Sequence, residues 1–150
     1  MANYSDYTIE VVRNAGGAGA SISTFPLSQL VDDIGALHGV GYKPGSGGAV
    51  TQATSKATAV TLNTATGEIT LNNASLAAAT IVSFTLNDSK ITATDMIAAT
   101  HHSGGTLGAY TVNACATGAG TATVAIRNNT AGALAEAIVI KFAIIKAPNS

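Results

Sequence analysis

"GTATVAIRN", Gly120 to Asn128, sets Ala122, Val124 and Ile126 at every second position, opposite Thr121, Thr123, Ala125 and Arg127. A period of two marks a strand with one face turned to a core, whereas a helix repeats its apolar face every three to four residues. The same period recurs on both sides of this stretch. "TAVTLN" places Thr58, Val60 and Leu62 opposite Ala59, Thr61 and Asn63. "TATGEITLN" turns at Ala65 to Gly67 and then sets Ile69 and Leu71 on one side, and "TIVSFTLN" groups Val82, Phe84 and Leu86. "TDMIAAT" and "GAYTVNAC" continue the alternation. "LAEAIVIKFAIIK" closes it with a heavy apolar face of Ile138, Ile140, Phe142 and Ile144 against Ala137, Val139, Lys141, Ala143 and Ile145.

The joints between these runs are turn chemistry: "NTATG", "NNASL", "NDSK", "HHSGG", "ATGAG" and "NNTAG". About eight short strands with such joints predict an all-β fold, an antiparallel β-sandwich or jelly-roll-like domain, over residues 47–150. The break at "GYKPGSGG", Gly41 to Gly48, separates this domain from an N-terminal arm, residues 1–46. In the arm, "YTIEVVRN" reads as a strand and "AGGAGAS" as a loop. "STFPLSQLVDDIGALHG" reads as one short helix. Ser23 or Thr24 is the cap, Pro26 suits its first turn, and Leu27, Leu30, Val31 and Ile34 form one face.

Length and charge bound what such a chain does. At 150 residues it is single-domain in size, and a chain of that length buries about 68–70% of its unfolded surface without staples. The single cysteine, Cys115, permits no internal disulfide and lies in an alternating run, as a small core or face residue does. A net charge of −1 and seven scattered basic residues argue against nucleic acid or an anionic membrane as partner. The N-terminal "MANYSDYTIEVV" lacks the pattern of a signal peptide, and no apolar run is long enough to span a bilayer. Only 10% of residues are charged, against roughly 25% in ordinary soluble domains. Ala, Thr and Gly fill the outward positions. A surface this bland is suited to being covered, so the chain reads as a subunit of an assembly.

No residues assemble into a recognisable catalytic pattern. His101 and His102 are adjacent, so on a strand they point to opposite faces. A zinc site needs three or four ligands, and His38 lies far away in the arm. Together with "SGG" they read as the shoulders of a turn. "NAGGAGAS" and "PGSGGAVT" lack the spacing of phosphate-binding loops. Asp32 and Asp33 are neighbours that diverge on a helix, and Glu68, Asp88, Asp95 and Glu136 are dispersed. Aromatic residues are few and not interleaved with basic ones. The expectation is a protein that is not an enzyme, with no catalytic, cofactor-binding or metal site.

The stretch from Gly47 to Ala147 resembles a β-rich domain of tailed-bacteriophage virion proteins. Its marks are "VTQATSK", then "AVTLN", "GEIT" with Gly67, "VSFTL", and an end pattern carried by Arg127, Asn128, Gly132, Leu134, Glu136 and Ala137. The resemblance implies a structural protein of a virion, foremost a capsid decoration (cement) protein that stabilises the head shell through wide non-catalytic interfaces. The alternative is a tail or fibre module that binds host surface glycans. It implies as partners the major capsid protein or other virion proteins and further copies of the chain, as a trimer before a dimer.

Overall fold

The structure, a computed structural model, describes residues 8–13, 21–26, 41–42 and 44–147. The chain divides into two compact units, Met1–Gly41 and Tyr42–Ser150. In the first, β1 (Thr8–Arg13) pairs antiparallel with β2 (Ser21–Pro26), with Ile9 opposite Phe25 and Val12 opposite Ile22. This corrects the start of the expected helix. Ser23, Thr24 and Pro26 lie in a strand because "SISTF" carries the β-branched Ile22 and Thr24 and the aromatic Phe25 and finds a partner strand in β1. Pro26, at the strand's end, leaves the ladder intact. The rest of the expected helix, residues 27–39, and the "AGGAGA" loop lie outside the described residues.

The second unit is all-β, a sandwich of two four-stranded sheets. Its eight strands are β3 (Gly47–Thr51), β4 (Val60–Thr61), β5 (Thr66–Thr70), β6 (Ile81–Asn87), β7 (Met96–Ser103), β8 (Tyr110–Gly118), β9 (Thr121–Asn128) and β10 (Val139–Ile145). One sheet has the order β3-β5-β10-β7, the other β4-β6-β9-β8. The pairings among β5, β7 and β10 and among β6, β8 and β9 are antiparallel. The two remaining ones are not: β3 runs parallel to β5, and β4 runs parallel to β6. The cause is the chain path. From β3 it crosses to the other sheet to form β4, then returns as β5, and parallel neighbours need such a crossover.

Most of the core comes from the alternating positions read from the sequence, although Leu62 and Val82 are only partly buried and Leu76, Ile91 and Tyr110 join it from outside those faces. Ala122, Val124 and Ile126 are buried on β9, and Phe84 and Leu86 face them from β6. From the other sheet come Ile69, Ile97, Ile140, Phe142 and Ile144. Leu71 and Ile138, just outside the strands, are also buried and bonded to each other through Leu71 N–H and Ile138 O at 2.9 Å. Gly67 lies inside β5 rather than in the turn expected at Ala65 to Gly67. A Cβ there would stand 2.6 Å from Leu62 Cδ2 and 2.9 Å from the Gly48 carbonyl oxygen. Only a residue without a side chain lets β3, β5 and Leu62 approach this closely.

Candidate functional site

Three polar residues, Gln52, Lys56 and Asn128, form buried polar joints. Gln52 is 2% exposed, and its Nε2 donates to the carbonyls of Lys56 (3.1 Å) and Thr58 (2.8 Å). Its Oε1 accepts from Asn72 N–H at 3.2 Å. Lys56 is 3% exposed, and its ammonium donates to the main-chain carbonyls of Asn72 and Glu136. Burial pushes its pKa down, partly offset by the Glu136 carboxylate. The loop between β3 and β4 is thus tied to two distant segments.

Asn128 is fully buried at the end of β9. Its Nδ2 donates to the carbonyls of Leu76, Ala77 and Gly132, and its Oδ1 accepts from the Thr130 N–H and hydroxyl. Every polar atom of the carboxamide is satisfied, which is what makes a buried asparagine tolerable. Two residues beyond Gly132, Leu134 pairs with Leu76 in an isolated bridge. The end pattern Asn128, Gly132, Leu134, Glu136 is therefore a clamp on the connection between β9 and β10.

Glu136 extends the clamp to the turn between β7 and β8. Its Oε1 accepts from the Thr106 hydroxyl at 2.8 Å, and contacts with Thr106 hold its carboxyl below the usual range. Burial, with Glu136 nearby, pushes the Tyr110 hydroxyl up to about 12. The ring of His101 meets Tyr110 edge-on with centroids 5.8 Å apart, and its Nε2 is 2.7 Å from the Gly104 carbonyl oxygen. Gly104 (φ 71°) and Gly105 (φ 60°) take the left-handed conformation that this turn requires.

His102 sits on the other side of β7, 3.7 Å from Glu68, which also meets Lys141 at 3.3 Å. The two histidines are thus separated, one against Tyr110 and one in an outer-face charge cluster. Asp88 and Asp95 are buried turn residues. Asp88 Oδ1 accepts from Lys90 N–H and Asp95 Oδ2 from Thr92 N–H, each at 2.8 Å. Burial raises the Asp88 pKa, while the Lys146 ammonium, 2.6 Å from Asp95, holds that carboxyl down at about 2. Cys115 is exposed on the outward side of β8. Asp32, Asp33 and His38 lie outside the described residues. Among the described residues, no three His, Cys, Asp or Glu side chains come together as metal ligands.

The sequence reading missed Gln52, Lys56 and Asn128 as polar anchors, and the signal was there. Each is a polar residue inside the motifs that carry the resemblance, next to turn residues whose main-chain groups need partners. The chain matches no family model, no curated protein and no solved structure.

Proposed function

We propose that the chain is a structural protein of a bacteriophage virion, foremost a capsid decoration protein that attaches to the head shell and to further copies of itself. The observation that carries the reading is how little charge reaches the surface of the sandwich. Residues 44–147 hold nine charged side chains, and three of them, Lys56, Asp88 and Asp95, are buried. The outward rows of the second sheet read Ile81, Arg127, Thr111; Ser83, Ala125, Asn113; and Thr85, Thr123, Cys115. One charge in three rows is poor solvation for a free particle and good complementarity for a wide, neutral contact. Exposed apolar side chains add to this: Leu107 at a turn tip, Ile81 on β6, and the register partners Met96 and Ile145.

The buried polar clamps support the same reading. They bind side chains to main-chain carbonyls and hold loops in place, as a permanent scaffold needs. The test is labelling of intact particles of the phage that encodes the chain, with antibodies to the purified protein, viewed by electron microscopy. Label over the heads supports decoration. Label confined to tails or fibres favours the glycan-binding alternative, and unlabelled particles overturn the virion reading.

A further inference from the structure

Among the described residues, four buried side-chain polar atoms make no hydrogen bond: Asp88 Oδ2, His101 Nδ1, Tyr110 Oη and Glu136 Oε2. Buried polar groups are normally paired, so each such atom needs a reason. Asp88 stands alone just after β6. The other three gather at the turn end of β7 and β8. His101, on β7, meets Tyr110, the first residue of β8, edge-on. The Tyr110 hydroxyl lies beside the Glu136 carboxyl, and the His101 ring is close enough to favour that carboxyl's charge. Gly105 covers the group: a Cβ there would stand 2.9 Å from Glu136 Oε2.

The bonding character of each atom is fixed by its surroundings. His101 Nε2 is 2.7 Å from the Gly104 carbonyl oxygen, which only accepts. Nε2 therefore carries the hydrogen, and Nδ1 of the neutral ring is left as an acceptor. Contacts with Thr106 hold the Glu136 carboxyl below the usual range, so Oε2 is an acceptor too. Burial pushes the Tyr110 hydroxyl up to about 12, so it keeps its proton and donates. Two acceptors and one donor thus lie together without partners. They do not pair directly, and no nitrogen of His101 comes within 4.0 Å of the Glu136 carboxylate.

We infer that His101 Nδ1, Tyr110 Oη and Glu136 Oε2 hold one water molecule between them. The water donates to Nδ1 and to Oε2 and accepts from the Tyr110 hydroxyl. That uses both of its hydrogens and one lone pair, and three bonds is the usual number for a buried water. The spacing agrees. Two hydrogen bonds of about 2.8 Å that meet at a tetrahedral oxygen set their partners about 4.5 Å apart. A zinc ion, about 2.1 Å from each ligand, would need Nδ1 and Oε2 about 3.4 Å apart. A direct bond from Tyr110 to Glu136 would leave Nδ1 buried and bare, which is costly. The water joins β7 and β8 to the run before β10, whose main chain Lys56 also holds at Glu136. It closes the base of the turn that carries Leu107.

A crystal structure of the wild-type full chain, at a resolution that shows ordered waters, tests the site. The expected result is a single peak about 2.8 Å from each of the three atoms. A Tyr110 hydroxyl bonded directly to Glu136, with no peak beside His101 Nδ1, overturns the inference. A peak that misses one of the three atoms overturns it as well, and so does a peak at about 2.1 Å, the distance of a metal.

Discussion

Lys56 Nζ lies 2.6 Å from the main-chain carbonyl oxygen of Glu136, a residue eighty positions further along the chain. The same ammonium reaches the carbonyl of Asn72. One buried cation thus joins the loop after β3, the segment after β5 and the approach to β10.

Lys56→Met keeps the length of the side chain and removes the donors. Each carbonyl left buried without a partner costs about 1–3 kcal/mol. Urea unfolding is expected to show a lower midpoint with an unchanged slope. A midpoint equal to that of wild type contradicts the clamp.

Gly67→Ala tests the close approach of β3 and β5. The added methyl meets Leu62 and the Gly48 carbonyl within 3 Å, and the carbonyl belongs to a paired backbone. Overpacking of this kind costs about 1–3 kcal/mol. Thermal melting is expected to fall accordingly, and a stabilised variant would show that β3 moves freely.

Phe142 is 2% exposed on β10, the strand between β5 and β7, and its ring is one of the walls around Gly67. Phe142→Ala is expected to cost about 3–5 kcal/mol. A variant that melts with wild type would reverse the inside and outside of this strand.

Acid stability has a defined sign. Asp95 is held at about 2 in the fold against an ordinary 3.8, so its ion pair with Lys146 stabilises fully above about pH 4 and is lost as pH falls towards 2. Asp88 acts in the opposite sense: burial raises its pKa, and protonation relieves that burial. Lys146→Met is expected to lower the melting temperature at pH 7 and to flatten its fall between pH 4 and pH 2. An unchanged acid limb contradicts the role given to the pair.

The alternating faces of β6, β9 and β10 were legible because each strand buries one side, and a period of two leaves little choice of face. Glu68, Lys141 and His102, spread along the sequence, share the outer face of one sheet through strand order, which no local pattern encodes. The parallel pairings of β3 and β4 were hidden for the same reason. "STFP", Ser23 to Pro26, reads as a helix start by its Ser, Thr and Pro, and a partner strand outweighed those cues. The burial of Lys56, Asp88 and Asp95 was not legible, since nothing in the sequence reveals the carbonyls, main-chain N–H groups and Lys146 ammonium that make it tolerable.

The central claim is that this chain is a coat component whose neutral surfaces are covered in the particle. Its copy number in purified virions, measured by quantitative mass spectrometry against the major capsid protein, tests that most directly. A decoration protein is expected at hundreds of copies per particle. A handful of copies, or none, contradicts it.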